Sequence, residues 1–429
     1  MNADVVIVGA GPAGLSAAIT LARAGVRPLV LERGLYPGAK NMFGGVLYGQ
    51  ALHEMLPAFW ERAPIERRLT RRMFTLLSRD AAVSLDLRSP RLGAAPGAGW
   101  IIARSRFDRW LGDEAEAAGA IIVPEATVDD LLWEGGRVAG VRVRRGEGEV
   151  RARIVVAADG AMSLLAQRAG LRGPVSSGTV ALGVKEVLHL PREVIETRFQ
   201  LRDDEGLEMI FVGAATGGQP GGGFLYTLCE GLAVGVIVRL DALVAGRTRP
   251  QDLLEAFKTH PAVAPLLAGG TAREYSAHLI PEGGYAELPR LVTDGFLVVG
   301  DAAGLVAVNG IHFEGMNLAI ASGIAAAEAI LDARERADFS AAGLEGYGRR
   351  LRDGFVLQDL RRFRHAAAFL RSPRLYREYP EAVCDFLERL YRPSPPAKTG
   401  LWRGLVGSLR RRVSWTDLVR DGWRMLRSL

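Results

Sequence analysis

The amino-acid sequence predicts an α/β protein: a Rossmann-like parallel sheet assembled from separated pieces, an inserted antiparallel β-sheet, and a helical C-terminal region. Three observations carry this expectation. Short apolar runs stop on Gly or Asp beside helical patterns near residues 9, 159 and 301, as strands do when their carboxyl ends face a ligand. Residues 178 to 288 instead carry period-two alternation, the pattern of an antiparallel sheet with one covered face. Past the third piece, apolar residues recur at helical spacing almost to the end.

The first piece runs from Asp4 through Val8 into Gly9, Ala10, Gly11, Pro12, Ala13 and Gly14, and then into an Ala-rich helix that stops at Gly25. Each glycine has a physical task. Gly9 permits the turn, Gly11 lets the backbone approach a pyrophosphate at the helix N-terminus, and Gly14 lets helix and strand pack closely. The next strand, Val26 to Leu31, ends at Glu32 and Arg33, where a carboxylate accepts from a ribose hydroxyl. Strand, glycine turn, helix and a following acid make dinucleotide binding far more specific than the glycine pattern alone.

The segment from Gly34 to Gly49 is dense in glycine where a simple NAD domain would continue into a helix, and Asn41, Gly44 and Gly45 sit there among apolar residues. A packed loop pressed against a flat ligand is the expected reason. Residues from about Leu52 to Gly99 leave the nucleotide domain, with alternation over Met73 to Leu77 and Val83 to Leu87. Trp100 re-enters it. Arg104, at a strand-helix junction, is a candidate phosphate or flavin contact that Asp108 would fix. Val138 to Val143 and Glu149 to Ile154 are expected to pair as a hairpin, and the strand from Arg153 ends at Ala158, Asp159 and Gly160.

The third piece, Phe296 to Val299, ends in Gly300 and Asp301, and the chain continues through His312, Glu314, Gly315, Met316 and Asn317 into a long Ala-rich helix. Asp301 is expected to face a ligand with its carboxylate at the strand end. Free amides at the helix start would stabilise negative charge on a reduced flavin. Just upstream, Tyr275 to Tyr285 is expected to be a polar loop, in which His278, Glu282 and Tyr285 could carry protons near a substrate.

Composition sets the outer bounds. The chain has 429 residues, 48% apolar and 24% charged, an ordinary globular balance. No apolar run approaches the roughly 20 residues of a membrane span, and the first strand pattern starts too early for a signal peptide, so a cytoplasmic protein is expected. Its two cysteines, Cys229 and Cys384, cannot supply a four-cysteine iron-sulfur cluster. From Arg392 onward there are nine basic residues against two acidic ones, a net of +7, and the rest sums to −1. The basic character therefore belongs to the tail, and nucleic acid is not an expected partner. In that tail Trp402, Trp415 and Trp423 lie on amphipathic helical patterns after a Pro-rich break, as an interfacial membrane anchor requires; packing on a partner or on the body of the protein is the competing reading.

Taken together, the Gly9 to Gly14 turn, the Asn41 and Gly44-Gly45 loop, Arg104 with Asp108, Asp159-Gly160, Pro281-Glu-Gly-Gly and Gly300-Asp301 with Glu314-Gly-Met-Asn resemble one family. It is the electron-transfer-flavoprotein:quinone oxidoreductases, most closely their FixC-type dehydrogenase branch. The resemblance covers nearly the whole chain to about Arg392. It implies a Rossmann-like FAD-binding domain of the glutathione-reductase type, one non-covalent FAD, electrons received from electron-transfer flavoprotein subunits, and delivery to membrane quinone. Larger family members carry a fused ferredoxin-like domain. Here a separate small ferredoxin-like iron-sulfur subunit is implied, within a Fix-type complex of a kind that can split electrons between two acceptors.

The expected division is an FAD-binding domain over 1–64, 100–177 and 289–340, a substrate or quinone domain over 65–99 and 178–288, a helical region over 341–392, and a membrane-associating tail over 397–429. His312, Glu314 and His278 are the expected proton relays. Two other functions share the motifs: a stand-alone FAD-dependent prenyl reductase or aromatic hydroxylase, and a non-catalytic FAD-bound subunit that docks a complex on the membrane.

Overall fold

The computed structural model describes residues 2–40, 44–144, 148–308, 313–392 and 400–428. Strand Asn2–Val8 is apolar because neighbours and helices enclose both its faces. It pairs in parallel with Leu29–Leu31 on one side and Gly148–Ala157 on the other. Outside these lie Ile121–Val123 and Phe296–Val298, also parallel. The register places Val123, Leu31, Val8, Ala157 and Val298 in one line across the sheet. Consequently Gly9, Glu32, Ala158 and Gly300 all issue from a single carboxyl edge.

Gly148–Ala157 serves both segments read from the sequence. Its first half pairs antiparallel with Arg137–Val143, and the second half joins the parallel sheet. Behind the edge, helices Pro12–Arg23 and Met316–Glu335 pack against each other. A Cβ on Gly323 would lie 2.1 Å from the Ala13 carbonyl oxygen, so this contact is backbone on backbone. The helix Met316–Glu335 is apolar and long enough to cross a membrane, but its most apolar stretch is 67% buried within the protein. It is the core helix of the nucleotide-binding layer.

The second sheet runs Thr271–Pro281, Val180–His189, Gly231–Arg239, Gly221–Thr227, Glu205–Gly213, Ile65–Leu77, Gly99–Ile102, Gly45–Tyr48, with Ala82–Arg88 beside Ile65–Leu77. It is antiparallel except where Glu205–Gly213 meets Ile65–Leu77 in parallel. The chain crosses the nucleotide layer between those two strands, and such a long crossover is what permits parallel neighbours. Gly45–Tyr48 and Gly99–Ile102 thus tie the glycine-dense loop to this sheet.

One expectation changes. Residues 275–281, read as loop, are the second half of edge strand Thr271–Pro281, which pairs along its length with Val180–His189. As an edge strand it has one partner and leaves alternate side chains such as Tyr275 exposed, so its polar residues imitate a loop.

The tail forms helices Leu401–Arg410 and Trp415–Ser428. The Asp417 amide donates to the Ser414 hydroxyl at 3.2 Å, which caps the last helix. The last helix is also tied to the body: Arg374 donates twice to Asp421, at 2.6 and 2.8 Å, and Tyr379 donates to the same carboxylate at 2.9 Å.

Gly323→Val should destabilise the fold by about 2–3 kcal/mol, the usual cost of overpacking a close contact. Thermal unfolding measures it, and Gly407→Val, where a Cβ meets nothing, should leave the melting temperature nearly unchanged.

Candidate functional site

The glycine turn is closed to side chains. Gly9 has φ +106°, and a Cβ there would sit 2.3 Å from the Ala158 carbonyl oxygen; a Cβ on Gly14 would sit 2.1 Å from the Gly9 oxygen. Gly11 caps helix Pro12–Arg23 without a side chain, leaving the helix's first amides clear, and Pro12 and Ala13 are buried in its first turn. Glu32 is buried beside them. Its carboxylate accepts from the Ala10 amide at 2.9 Å and the Gly34 amide at 2.7 Å. Arg33 points outward and is exposed.

Opposite the turn, Gly300 has φ +58°, and its amide donates to Ser322 Oγ at 2.9 Å. That hydroxyl donates in turn to the Ala319 carbonyl, and Tyr347 holds the strand end by donating to the Val298 oxygen. Ser322, Gly323 and Tyr347 were not singled out from the sequence. The trace of Ser322 and Gly323 is a polar and a glycine residue inside an otherwise Ala-rich helix, and Tyr347 lies in a later helix, Gly346–Asp353.

Asp301 stands 4.0 Å from His278 Nε2. Arg104 makes a double hydrogen bond to buried Asp108, both arms 2.7 Å. Burial opposes the charge on Arg104, but Asp108 and then Asp301 hold the guanidinium above its usual range. Gly44 lies against the Ile102 carbonyl, 2.2 Å from where a Cβ would be. Gly45 opens beside a small cavity of about 180 Å³ whose wall includes Lys185. Burial pulls that lysine down to about 8, with Glu274 opposing.

At the start of helix Met316–Glu335, Gly315 is the cap, Met316 opens the helix, and Asn317 donates to Glu314 at 2.9 Å. Asn317 Oδ1 is buried with no partner among the described residues. Asp159 is engaged within the chain: its carboxylate accepts from the Ser163 hydroxyl at 2.7 Å and the Leu165 amide at 3.2 Å. Gly160 beside it turns with φ +82°. Asn41 and His312 lie outside the described residues.

A second space, a cavity of about 580 Å³, is lined in part by Val308 and Phe313, which lie in sequence between Gly300 and helix Met316–Glu335. Phe74, Leu76, Ile210 and Val212 of the second sheet form its floor, Val308 and Phe313 its inner wall, and Leu418 and Met425 of the last helix its roof. Glu282 and Arg239 bring charge to this wall. His278 and Glu314 are not among its lining residues.

A family model described as FAD binding domain matches residues 2–198, and one described as ETF-QO/FixC family C-terminal domain matches 365–429. The chain is 39% identical to "Probable electron transfer flavoprotein-quinone oxidoreductase YdiS" of Escherichia coli, over 98% of this chain and 97% of that one. It is 40% identical to "Protein FixC" of Bradyrhizobium diazoefficiens, over 99% and 98%. The chain belongs to the ETF-QO/FixC family. Among solved structures, a geranylgeranyl bacteriochlorophyll reductase-like protein from Thermoplasma acidophilum superposes with a TM-score of 0.73 over 98% of both chains at 21% identity, a likeness of fold.

This family member is an FAD-dependent oxidoreductase, and its residues fit the cofactor. The turn at Gly9 to Gly14 has backbone where side chains would stand, the buried Glu32 carboxylate stands beside it, and the buried Asn317 Oδ1 has no partner among the described residues. Bound FAD supplies the redox chemistry, and the protein supplies position and charge.

Glu32→Ala should weaken FAD binding about 10- to 100-fold, the equivalent of one charged hydrogen bond. Titration of the apoprotein with FAD, followed by flavin fluorescence, measures it.

Proposed function

We propose that this protein takes electrons from an electron-transfer flavoprotein and passes them, through FAD, to a membrane quinone. The observation that carries this reading is the apolar cavity, roofed by a helix with two different apolar faces. Leu418 and Met425 face the cavity. Trp415, Val419, Trp423 and Leu426 face away and are 53%, 69%, 62% and 70% exposed. A cavity of this volume suits a compact ring with an apolar tail, and the exposed tryptophans among arginines suit a headgroup layer. The printed names of the relatives support the same donor and acceptor.

In this reading Gly9, Gly11, Pro12, Ala13, Gly14 and Glu32 hold the adenosine half, Gly44, Gly45 and Arg104 flank the middle, and Gly300, Asp301, Gly315, Met316 and Asn317 meet the reactive ring. The helix start at Met316 stabilises negative charge there. Ala158 and Gly160 shape the edge, with Asp159 fixing their turn. Arg33 stands outside this set. His278, through Asp301, acts as a positioning group, and Glu314 positions Asn317. A four-iron cluster needs more cysteines than the two here, so a small ferredoxin-like subunit is the expected carrier. The protein works on the cytoplasmic face of a membrane, attached by its last two helices.

Adding NADH to the chain co-purified with its flavoprotein partners should bleach the flavin, and a quinone analogue should restore it. Bleaching of the isolated chain by NADPH would contradict this and favour a stand-alone reductase. Trp415→Ala with Trp423→Ala should reduce co-sedimentation with anionic lipid vesicles by about ten-fold or more, since interfacial binding scales with the apolar area buried at about 25 cal/mol per Å², while FAD content stays normal.

A further inference from the structure

We propose that Glu282 is the proton donor to the acceptor bound in the apolar cavity, and that it is reprotonated from a polar groove on the far side of Arg239. This rests on the quinone reading above and adds the residue that completes its chemistry.

Glu282 follows edge strand Thr271–Pro281, and its amide donates to the Thr179 carbonyl at 2.8 Å. The residue therefore sits at a fixed point where the sheet ends. Its side chain is only 10% exposed and lines the cavity. The other carboxylate on that wall, Asp421, is held by Arg374 and Tyr379. Glu282 has a looser neighbour: Arg239 Nη1 lies 3.7 Å from its Oε2.

Arg239 is held from the other side. It donates to Asp241 at 3.1 and 2.6 Å and to the Gly178 carbonyl at 2.8 Å. The same guanidinium lines a second, open groove together with Asp241, Gln219 and Arg371. Arg239 is thus the common wall between an apolar chamber and a polar groove open at the surface, with Glu282 against its inner face.

The charged and titratable groups around Glu282 are Arg239, Asp241, Arg371 and Tyr376. Burial pushes its carboxyl up to about 7, against Arg239, with Asp241 adding to the rise and Arg371 opposing it. At neutral pH the group is therefore divided between acid and carboxylate, the condition in which a proton donor both gives and recovers its proton.

The step balances. Two electrons reach the quinone from the bound cofactor. The Glu282 O–H bond breaks as an O–H bond forms on a quinone oxygen, leaving a carboxylate beside Arg239. A solvent proton entering by the groove restores the acid, and a second passage completes the quinol. Both protons on the quinol come from solvent, and the proton carried by the reduced cofactor would be released to solvent as its electrons leave.

The test uses FAD-loaded full-length protein, reduced anaerobically and then mixed by stopped flow with a short-chain quinone or with ferricyanide, which accepts electrons without protons. For the natural protein, reoxidation by quinone should slow as pH rises through about 7, because the acid form is lost. Glu282→Gln should be about 100-fold slower with quinone and lose that pH dependence, while its reoxidation by ferricyanide matches the natural protein. Glu282→Asp should recover part of the rate together with a pH profile. A Glu282→Gln protein with the natural quinone rate and profile would overturn the proposal, as would one slowed equally with both acceptors. If the natural protein reacts with ferricyanide but with no quinone, the quinone reading itself falls, and this assignment with it.

Discussion

Everything at the FAD site depends on backbone meeting backbone at one edge of the parallel sheet. Gly9 against Ala158, Gly14 against Gly9, and Gly323 against the Ala13 carbonyl leave no room for a single added carbon, and Gly300 lies close against the Ala13 methyl. This closeness brings two helix N-termini, Gly11 to Ala13 and Gly315 to Asn317, to the same edge although they are some three hundred residues apart in sequence. Free amides at both ends of one slot suit a cofactor with a pyrophosphate at one end and a ring that gains negative charge at the other.

The second sheet supplies what that edge lacks. Its floor of Phe74, Leu76, Ile210 and Val212 makes an apolar surface, and the last helix closes over it through Arg374 and Asp421. The tail is therefore both wall and surface. One face completes the cavity and the adjacent face, about a quarter-turn round, carries exposed tryptophans, so the two tail readings, packing on the body and contact with a lipid surface, belong to neighbouring faces of one helix.

The parallel sheet was legible in the sequence because its three strand ends each stop on a small or acidic residue beside a helix. The antiparallel sheet was legible from alternation. The edge strand Thr271–Pro281 was not, because its exposed positions carry polar residues and its pairing depends on a partner some ninety residues earlier. At the site, Gly9 to Gly14, Glu32, Arg104 and Gly300 could be chosen from local pattern. Ser322 and Tyr347 could not, since their roles are hydrogen bonds to distant backbone. The placement of Glu282 in the cavity, with His278 beside Asp301 instead, follows from which face of the edge strand and its turn each side chain takes, and spacing alone does not fix that.

The most direct measurement is a structure of the FAD-loaded protein with a quinone analogue bound. The account predicts the analogue between the sheet floor at Phe74 and Ile210 and the helix roof at Met425, its ring toward Glu282 and the FAD edge, and its tail leading out beneath helix Trp415–Ser428. An analogue bound elsewhere, with this cavity closed to it, would contradict the account.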